Sequence, residues 1–353
     1  LGRAGFTVAA AYDIDPDAVA TYNRNIVAPH CMVADVGLMT SSEVLAAAKT
    51  RRGEVSLVAG GPPCQGFSVQ RRGGEDDARN SLPSAFARLI LDICPAYFLF
   101  ENVPGIRNRH GQEVLRKFIA EMTAAGYVCH TAVLDAVDFG VPQFRRRLFV
   151  VGELSPSGET WFRFPSPSTA ADDKCVTVGA AFQGLPSPPD DYSEHPGFHH
   201  HRKMRLSKLN QQRLACIPQG GGMTDLPVEL RVNCHKNGAE KIGHRYVYGR
   251  LDWNKPAGTI TARFDSFTRG KFGHPLEDRN ITLREGARLQ TFPDDFIFTG
   301  TQESIAAQIG NAVPPVLAEA IGRQIVAAMS GKAGGEPPSA KATPTAAMLP
   351  FPA

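Results

Sequence analysis

Between residues 7 and 151, short apolar runs alternate with amphipathic helical patterns, and this alternation restricts the chain to an α/β sheet with helices on both faces. Thr7–Tyr12 reads as a strand. Asp15-Pro16 then supplies an N-cap followed by proline at the first helical position, opening a helix to about Asn25. Cys31–Ala34 and Val55–Ala59 are predicted strands. Phe86, Leu89, Ile90 and Ile93 fall at helical spacing, and Pro95 stops that helix. Tyr97–Phe100 reads as a buried strand ending at Glu101-Asn102. Val114, Leu115, Phe118, Ile119 and Met122 mark another amphipathic helix, closed by Gly126. Tyr127–Leu134 and Leu148–Val151 complete the sheet pattern.

After about residue 155 the texture changes. Residues 155–250 are rich in Pro, Gly, His and basic residues with weak periodicity, which predicts a smaller, irregular domain. Helical spacing returns over Thr282–Leu289 and over Ser304–Met329, where Pro314-Pro315 interrupts a long helix. The expected organisation is a catalytic domain over 1–155, a small domain over 156–298, a returning helix over 299–329 and a disordered Gly/Pro/Ala/Ser tail over 330–353. The length of 353 residues accommodates one large domain and one smaller one. No apolar run reaches the roughly 18 residues of a membrane span. Seven cysteines without a CxxC pair read as reduced thiols of a cytosolic protein. A net charge of +3 is compatible with nucleic acid without requiring it.

Gly60-Gly61-Pro62-Pro63-Cys64-Gln65-Gly66-Phe67-Ser68 follows directly on a predicted strand. Two glycines and two prolines fix an unusual backbone path at a strand end, which is where open α/β sheets bind ligands. A thiol of pKa about 8.5 is partly ionised near neutrality and is a strong nucleophile, so Cys64 is a candidate for covalent catalysis. A buried cysteine acting as a small hydrophobe is the alternative. Glu101-Asn102-Val103-Pro104-Gly105 lies at another strand end, and Gln143-Phe144-Arg145-Arg146-Arg147 precedes the last strand. A thiol, a carboxyl and guanidinium groups on separate strand ends can converge on one planar polar substrate. Each alone could instead be a helix cap, a salt-bridge partner or a solvated face.

These runs, with Gly140-Val141-Pro142, Gln308-Ile309-Gly310-Asn311-Ala312-Val313-Pro314-Pro315, Tyr248-Gly249-Arg250-Leu251 and the stretch from His274-Pro275 through Thr282-Leu283-Arg284-Glu285 to Phe292-Pro293, resemble the cytosine-5 DNA methyltransferase family in the family's own order. The resemblance runs to about residue 328. It implies a Rossmann-like S-adenosylmethionine-dependent methyltransferase sheet with a smaller target-recognition domain. It also implies attack of Cys64 on C6 of a flipped-out cytosine, with methyl transfer from S-adenosylmethionine to C5 and S-adenosylhomocysteine as product. Glu101 would protonate or hydrogen-bond N3, Asn102 would help position base and loop, Arg145 would hold the cytosine O2, and Arg147 is a supporting candidate. Asp13, Ile14, Asp35, Val36, Pro62, Leu82 and Asn311 match the family's cofactor contacts.

On the DNA side the candidates are Arg71 and Arg72 on a Gly-flanked loop, with Gln143, Arg202, Lys203 and Arg250; Arg205, Arg231, Asn233 and Lys236 are further basic or polar positions between Arg147 and Arg250. Each could equally contact phosphate or only solvent. His195 and His199–His201 do not fall at metal-ligand spacing, so no metal is expected. The implied partner is double-stranded DNA with a specific cytosine target, acted on by a monomer in a prokaryotic cytoplasm, with a cognate restriction endonuclease if the chain serves a restriction-modification system rather than acting as an orphan. The family's RNA-modifying branch tends to replace the Gly-Phe-Ser part and to carry a Cys-Phe-Thr element, and no such element is present. A non-catalytic DNA-binding homologue would be free to lose Cys64 or Glu101, and both are present. The resemblance further implies a strand and an FxGxGG loop just ahead of Leu1-Gly2-Arg3-Ala4-Gly5. Without that strand, its two neighbours would each show an open edge, and the chain as written is expected to be poorly folded or inactive unless the segment comes from elsewhere.

Overall fold

Two short parallel strands open the fold in the computed structural model, which describes residues 1–27, 29–63, 82–108, 111–168, 175–233 and 247–334. β1 (Ala11–Asp13) pairs with β2 (Cys31–Val33), and α1 (Pro16–Asn25) makes the crossover between them. The Asp15 carboxylate accepts the Asp17 amide at 2.9 Å, and Pro16 takes the first helical position, where a missing N–H costs nothing. α2 (Ser41–Ala47), which the apolar periodicity does not reveal, starts at a capping box between Thr40 and Glu43.

A four-stranded sheet follows, in the order β3 (Leu57–Gly60), β4 (Tyr97–Asn102), β6 (Arg146–Leu154), β5 (Tyr127–Asp135). β3 and β4 run parallel; β6 runs antiparallel to both of its neighbours, so the sheet is mixed. Among the described residues no ladder joins this sheet to β1 and β2, and β1 and β3 each have a single strand neighbour.

The period of two along β4 builds both faces of the core. Phe98 and Phe100 point to one side, with Phe86 and Ile90 of α3 (Leu82–Ile93) and Leu115, Phe118 and Met122 of α4 (Gly111–Ala124). Tyr97 and Leu99 point to the other, with Phe149, Val151 and Phe162. The Phe100 and Phe118 rings lie 4.8 Å apart. Each buried phenylalanine contributes about 1.5–3 kcal/mol to holding helices on the sheet.

Between the sheet and the C-terminal helices the described residues form short pieces: α5 (Val178–Phe182), α6 (Lys208–Cys216), the two-strand pair β7 (Gly249–Arg250) and β8 (Lys271–Gly273), and α7 (Leu283–Leu289). Their core includes Phe264, Phe272, Ile281, Leu289 and Phe298, and it continues into Ile305 and Ile309 of α8 (Gln302–Asn311). Pro314-Pro315 separates α8 from α9 (Pro315–Gly334), whose Leu317, Ile321 and Ile325 recur every fourth residue and cover the Leu99 face of the sheet. α9 continues to Gly334, past the end expected at 329, so its last turn replaces the start of the expected tail. α8 is tied back to α1. Thr21 Oγ1 donates to Gln308 Oε1 at 2.7 Å, and Asn25 exchanges two hydrogen bonds with the Ile297 backbone. No described helix is long and apolar enough to cross a membrane.

Cys64, Arg71, Arg72 and Lys236 lie outside the described residues.

Candidate active site

The carboxyl ends of β3 and β4 and the start of β6 meet at one edge of the sheet, because β3 and β4 are parallel and β6 is antiparallel to them. Register puts Gly60 opposite Phe100 and Asn102 opposite Leu148. Glu101 therefore emerges beside the segment leading into Cys64. A Cβ at Gly61 would stand 3.0 Å from Glu101 Oε2, so the backbone passes close to the carboxylate and a side chain here would crowd it. Asn102, 4% exposed, donates from Nδ2 to the Pro62 carbonyl at 3.0 Å, and its Oδ1 accepts the Val103 amide at 2.9 Å. The amide thus ties the Pro62-Pro63 turn to the loop after β4.

Arg147 Nε lies 3.1 Å from Glu101 Oε1, and both side chains are mostly buried. Burial raises the Glu101 pKa, against the opposing pull of the Arg147 and Arg145 guanidiniums. Burial lowers that of Arg147, and Glu101 counters it. A carboxyl that can hold a proton beside a planar donor, at the mouth of a cysteine-bearing loop, can supply a proton and a hydrogen bond to one heterocycle.

Arg145 behaves differently from the sequence expectation. Its side chain is fully buried, and the guanidinium donates to the carbonyls of Ile260 at 2.9 Å, Gly310 at 2.7 Å and Ala312 at 2.9 Å. It holds the end of α8 and residue 260 against the sheet, whereas Arg147 is the arginine that faces Glu101. Gln143 is likewise corrected from DNA contact to internal strut. It is fully buried, donates to Leu289 O and Gln290 Oε1, and accepts the Ile260 amide. Arg250, 5% exposed, spends its donors on the carbonyls of Leu214, Ile217, His274 and Glu277 and on Asp278. These bonds tie α6 to the segment after β8 and place the guanidinium in the interior, not on the surface where a DNA contact was expected. Sequence shows that a side chain is polar and not how deep it lies, so it does not separate these three from surface residues.

Of the other basic candidates, Arg202 and Arg205 are exposed, and Arg205 stands over the Tyr192 ring at 4.4 Å. Lys203 is paired with Asp190. Arg231 donates to the carbonyls of Leu226 and Thr224, and Asn233 is exposed. The histidines have structural employment. His201 bridges Thr282 Oγ1 and Pro186 O, His200 accepts the Phe298 amide, and His195 accepts the Gly197 amide.

The cofactor candidates group at the ends of β1, β2 and α8. Asp13 ends β1 and Asp35 follows β2; both are exposed, and each carboxylate shapes its own turn by accepting the Asp15 and Gly37 amides. Ile14 is 66% exposed, an apolar side chain left facing water. Leu82, at the first turn of α3, comes to the same turn as Asp35: a Cβ at Gly37 would lie 3.0 Å from Asp35 Oδ1 and 3.5 Å from Leu82 Cδ2. Asn311 is exposed at the end of α8, between the two carbonyls that Arg145 holds. Carboxylates for hydroxyl or amino donors, with apolar side chains for a ring, fit the chemistry of a nucleoside. The sequence reading missed Arg88. It sits on the outer side of α3 and reaches the loop after β2, and an arginine among apolar helix positions gives no hint of that reach.

A family model described as C-5 cytosine-specific DNA methylase matches residues 1–327. The chain is 32% identical to the Type II methyltransferase M1.HphI of Haemophilus parahaemolyticus, over 92% of this chain and 82% of that one. It is 31% identical to the Type II methylase M.HgiDII of Herpetosiphon aurantiacus, over 93% and 91%. Among solved structures, a prophage-encoded E. coli protein described as a DNA modification methyltransferase superposes with a TM-score of 0.67 at 29% identity, covering 93% of this chain and 94% of that one. The S. pombe Dnmt2 methyltransferase shares the fold, with a TM-score of 0.55 at 18% identity over 92% of each chain.

Proposed function

This chain belongs to the C-5 cytosine-specific DNA methylase family and is a DNA (cytosine-5)-methyltransferase, and from that premise we propose which of its residues do the chemistry. The observation that carries the proposal is the Arg147–Glu101 pair, buried where the loop leading to Cys64 leaves β3.

Cytosine C5 is a weak nucleophile until C6 carries an electron-rich substituent. Cys64, as thiolate, forms a bond to C6 of a cytosine turned out of the duplex, and Glu101 delivers a proton to N3 as negative charge builds in the ring. Raised by burial, the Glu101 carboxyl holds that proton at higher pH than an exposed glutamate would. Arg147 donates to O2 and fixes the plane of the ring. Asn102 keeps the Pro62 carbonyl and the loop after β4 in one frame, so that thiolate and acid approach the same base. Once C5 carries the methyl group, loss of the C5 proton, return of the N3 proton to Glu101 and departure of Cys64 as thiolate restore the aromatic ring.

S-adenosylmethionine, the methyl donor the family implies, supplies an electrophilic methyl group when bound. Asp13 accepts from the ribose hydroxyls, Ile14 and Val36 flank the adenine, and Asp35 accepts from its amino group. Pro62, Leu82 and Asn311 complete the walls. Arg202 and Arg205, exposed on the small domain, meet the DNA. The Type II relatives make a restriction-modification setting the favoured reading, with a cognate nuclease as partner.

Bisulfite sequencing of DNA from cells expressing the full-length gene, with any segment that precedes Leu1 included, tests the proposal. Protected cytosines in one fixed sequence context support it, and a genome left fully convertible, or methylation confined to RNA, overturns it.

A further inference from the structure

We propose that Arg88 is a positioning residue for S-adenosylmethionine, holding the loop after β2 in the shape that its adenine contacts need; the inference rests on the reading of Asp35 and Val36 given above. Nη2 of Arg88 donates to the Met39 carbonyl at 2.8 Å and to the Gly37 carbonyl at 3.3 Å. The loop has little else to fix it. Asp35, Leu38 and Thr40 are exposed, Leu38 at 82%. Its internal bonds, Gly37 amide to Asp35 Oδ1 at 2.8 Å and Leu38 amide to Asp35 O at 2.9 Å, set its curvature without setting its place on the protein.

That place comes from α3. Leu82 meets the turn at Gly37 from the start of the helix, and Arg88 meets the carbonyls of Gly37 and Met39 from further along it. The opposite face of the same helix is rigidly seated. Phe86 packs on Phe100 with ring centroids 6.2 Å apart, one residue before Glu101. α3 therefore indexes the adenine loop to the catalytic strand, and Arg88 is its polar attachment. Both bonds come from Nη2 at the far end of the guanidinium, and the shorter lysine stem ends before that point, so Arg88→Lys restores the tie only in part.

Hydrogen exchange on the full chain without cofactor, with calorimetry of S-adenosylhomocysteine, provides the test. In Arg88→Ala the amides of residues 36–39 exchange about tenfold faster while those of β4 are unchanged, and the product binds about five- to tenfold more weakly with DNA affinity unaltered. Arg88→Lys falls between. Unchanged exchange, or unchanged product affinity, overturns the inference, as does weakened DNA binding of the same size. If Arg88→Ala does not fold, Arg88→Lys carries the same comparison. Asp35→Ala separates the two readings: if it weakens the product and Arg88→Ala does not, only the role of Arg88 falls; if neither weakens it, the cofactor reading of this loop falls as well.

Discussion

Asn102 donates from its side-chain amide to the Pro62 carbonyl across 3.0 Å, which joins the end of β4 to the turn that leads into Cys64. Removing the side chain frees the two segments from each other and takes away the acceptor of the Val103 amide. Asn102→Ala should lower the single-turnover methylation rate by about ten- to a hundredfold with DNA affinity preserved, since the loss is one of alignment. Rapid-quench measurement at saturating DNA checks this, and an undiminished rate would remove Asn102 from the account.

Arg147 and Arg145 should separate in experiment as they do in space. Arg147→Ala is expected to fold and to lose roughly a hundredfold or more in kcat, because it removes the donor beside Glu101. Arg145→Ala strips three backbone carbonyls of their donor in a fully buried position and should cost about 3–5 kcal/mol of stability. Urea melts of the two variants make the comparison. A stable Arg145→Ala would contradict its assignment as a strut.

The Glu101 carboxyl has a folded pKa raised by burial above its unfolded value of about 4.3. The stability contributed by its protonated form is thus fully present below about pH 4.3 and is lost as the pH rises through the folded value. The Tm of the wild type should decline relative to that of Glu101→Gln as the pH is raised from acid toward neutral. Parallel melting curves across that range would show that the carboxyl is not held as described.

Glu285 should be the most sensitive carboxylate of the small domain. Burial would raise its pKa, yet the Arg279 guanidinium, at 2.7 and 2.8 Å from its two oxygens, wins and lowers it. Its contribution is present above about pH 4.3 and is lost as the pH falls through the depressed folded value. Glu285 also closes the capping box with Thr282. Glu285→Gln should cost about 1.5–3 kcal/mol at neutral pH, because it removes the more deeply buried of the two carboxylates bonded to Arg279 while Glu277 remains. Thermal unfolding checks it, and a loss below about 1 kcal/mol would refute it.

Much of the sheet was legible because it is built on repeats that sequence shows directly. The continuous apolar run Tyr97–Phe100 and the helical spacing of Phe86 to Ile93 gave their elements to within a few residues, and Asp15-Pro16 marked the first helical residue. α2 escaped because its one clear signal is the Thr40–Glu43 cap and none of its residues is buried. Long arginines and glutamine were the hardest to read. Arg145, Gln143 and Arg250 have the composition of a DNA-binding surface, and all three are consumed by main-chain carbonyls in the interior. Arg145 and Arg147 stand two residues apart with the same side chain, and only the path of the chain decides which faces Glu101.

The central claim is that Cys64 attacks cytosine with Glu101 as its acid. Duplex DNA carrying 5-fluorocytosine at the target blocks release of the C5 substituent and so traps the covalent species. With S-adenosylmethionine present, the account predicts a denaturation-resistant adduct, abolished in Cys64→Ser and formed far more slowly in Glu101→Gln. An adduct that persists in Cys64→Ser, or none with the wild type on DNA that it methylates, would contradict it.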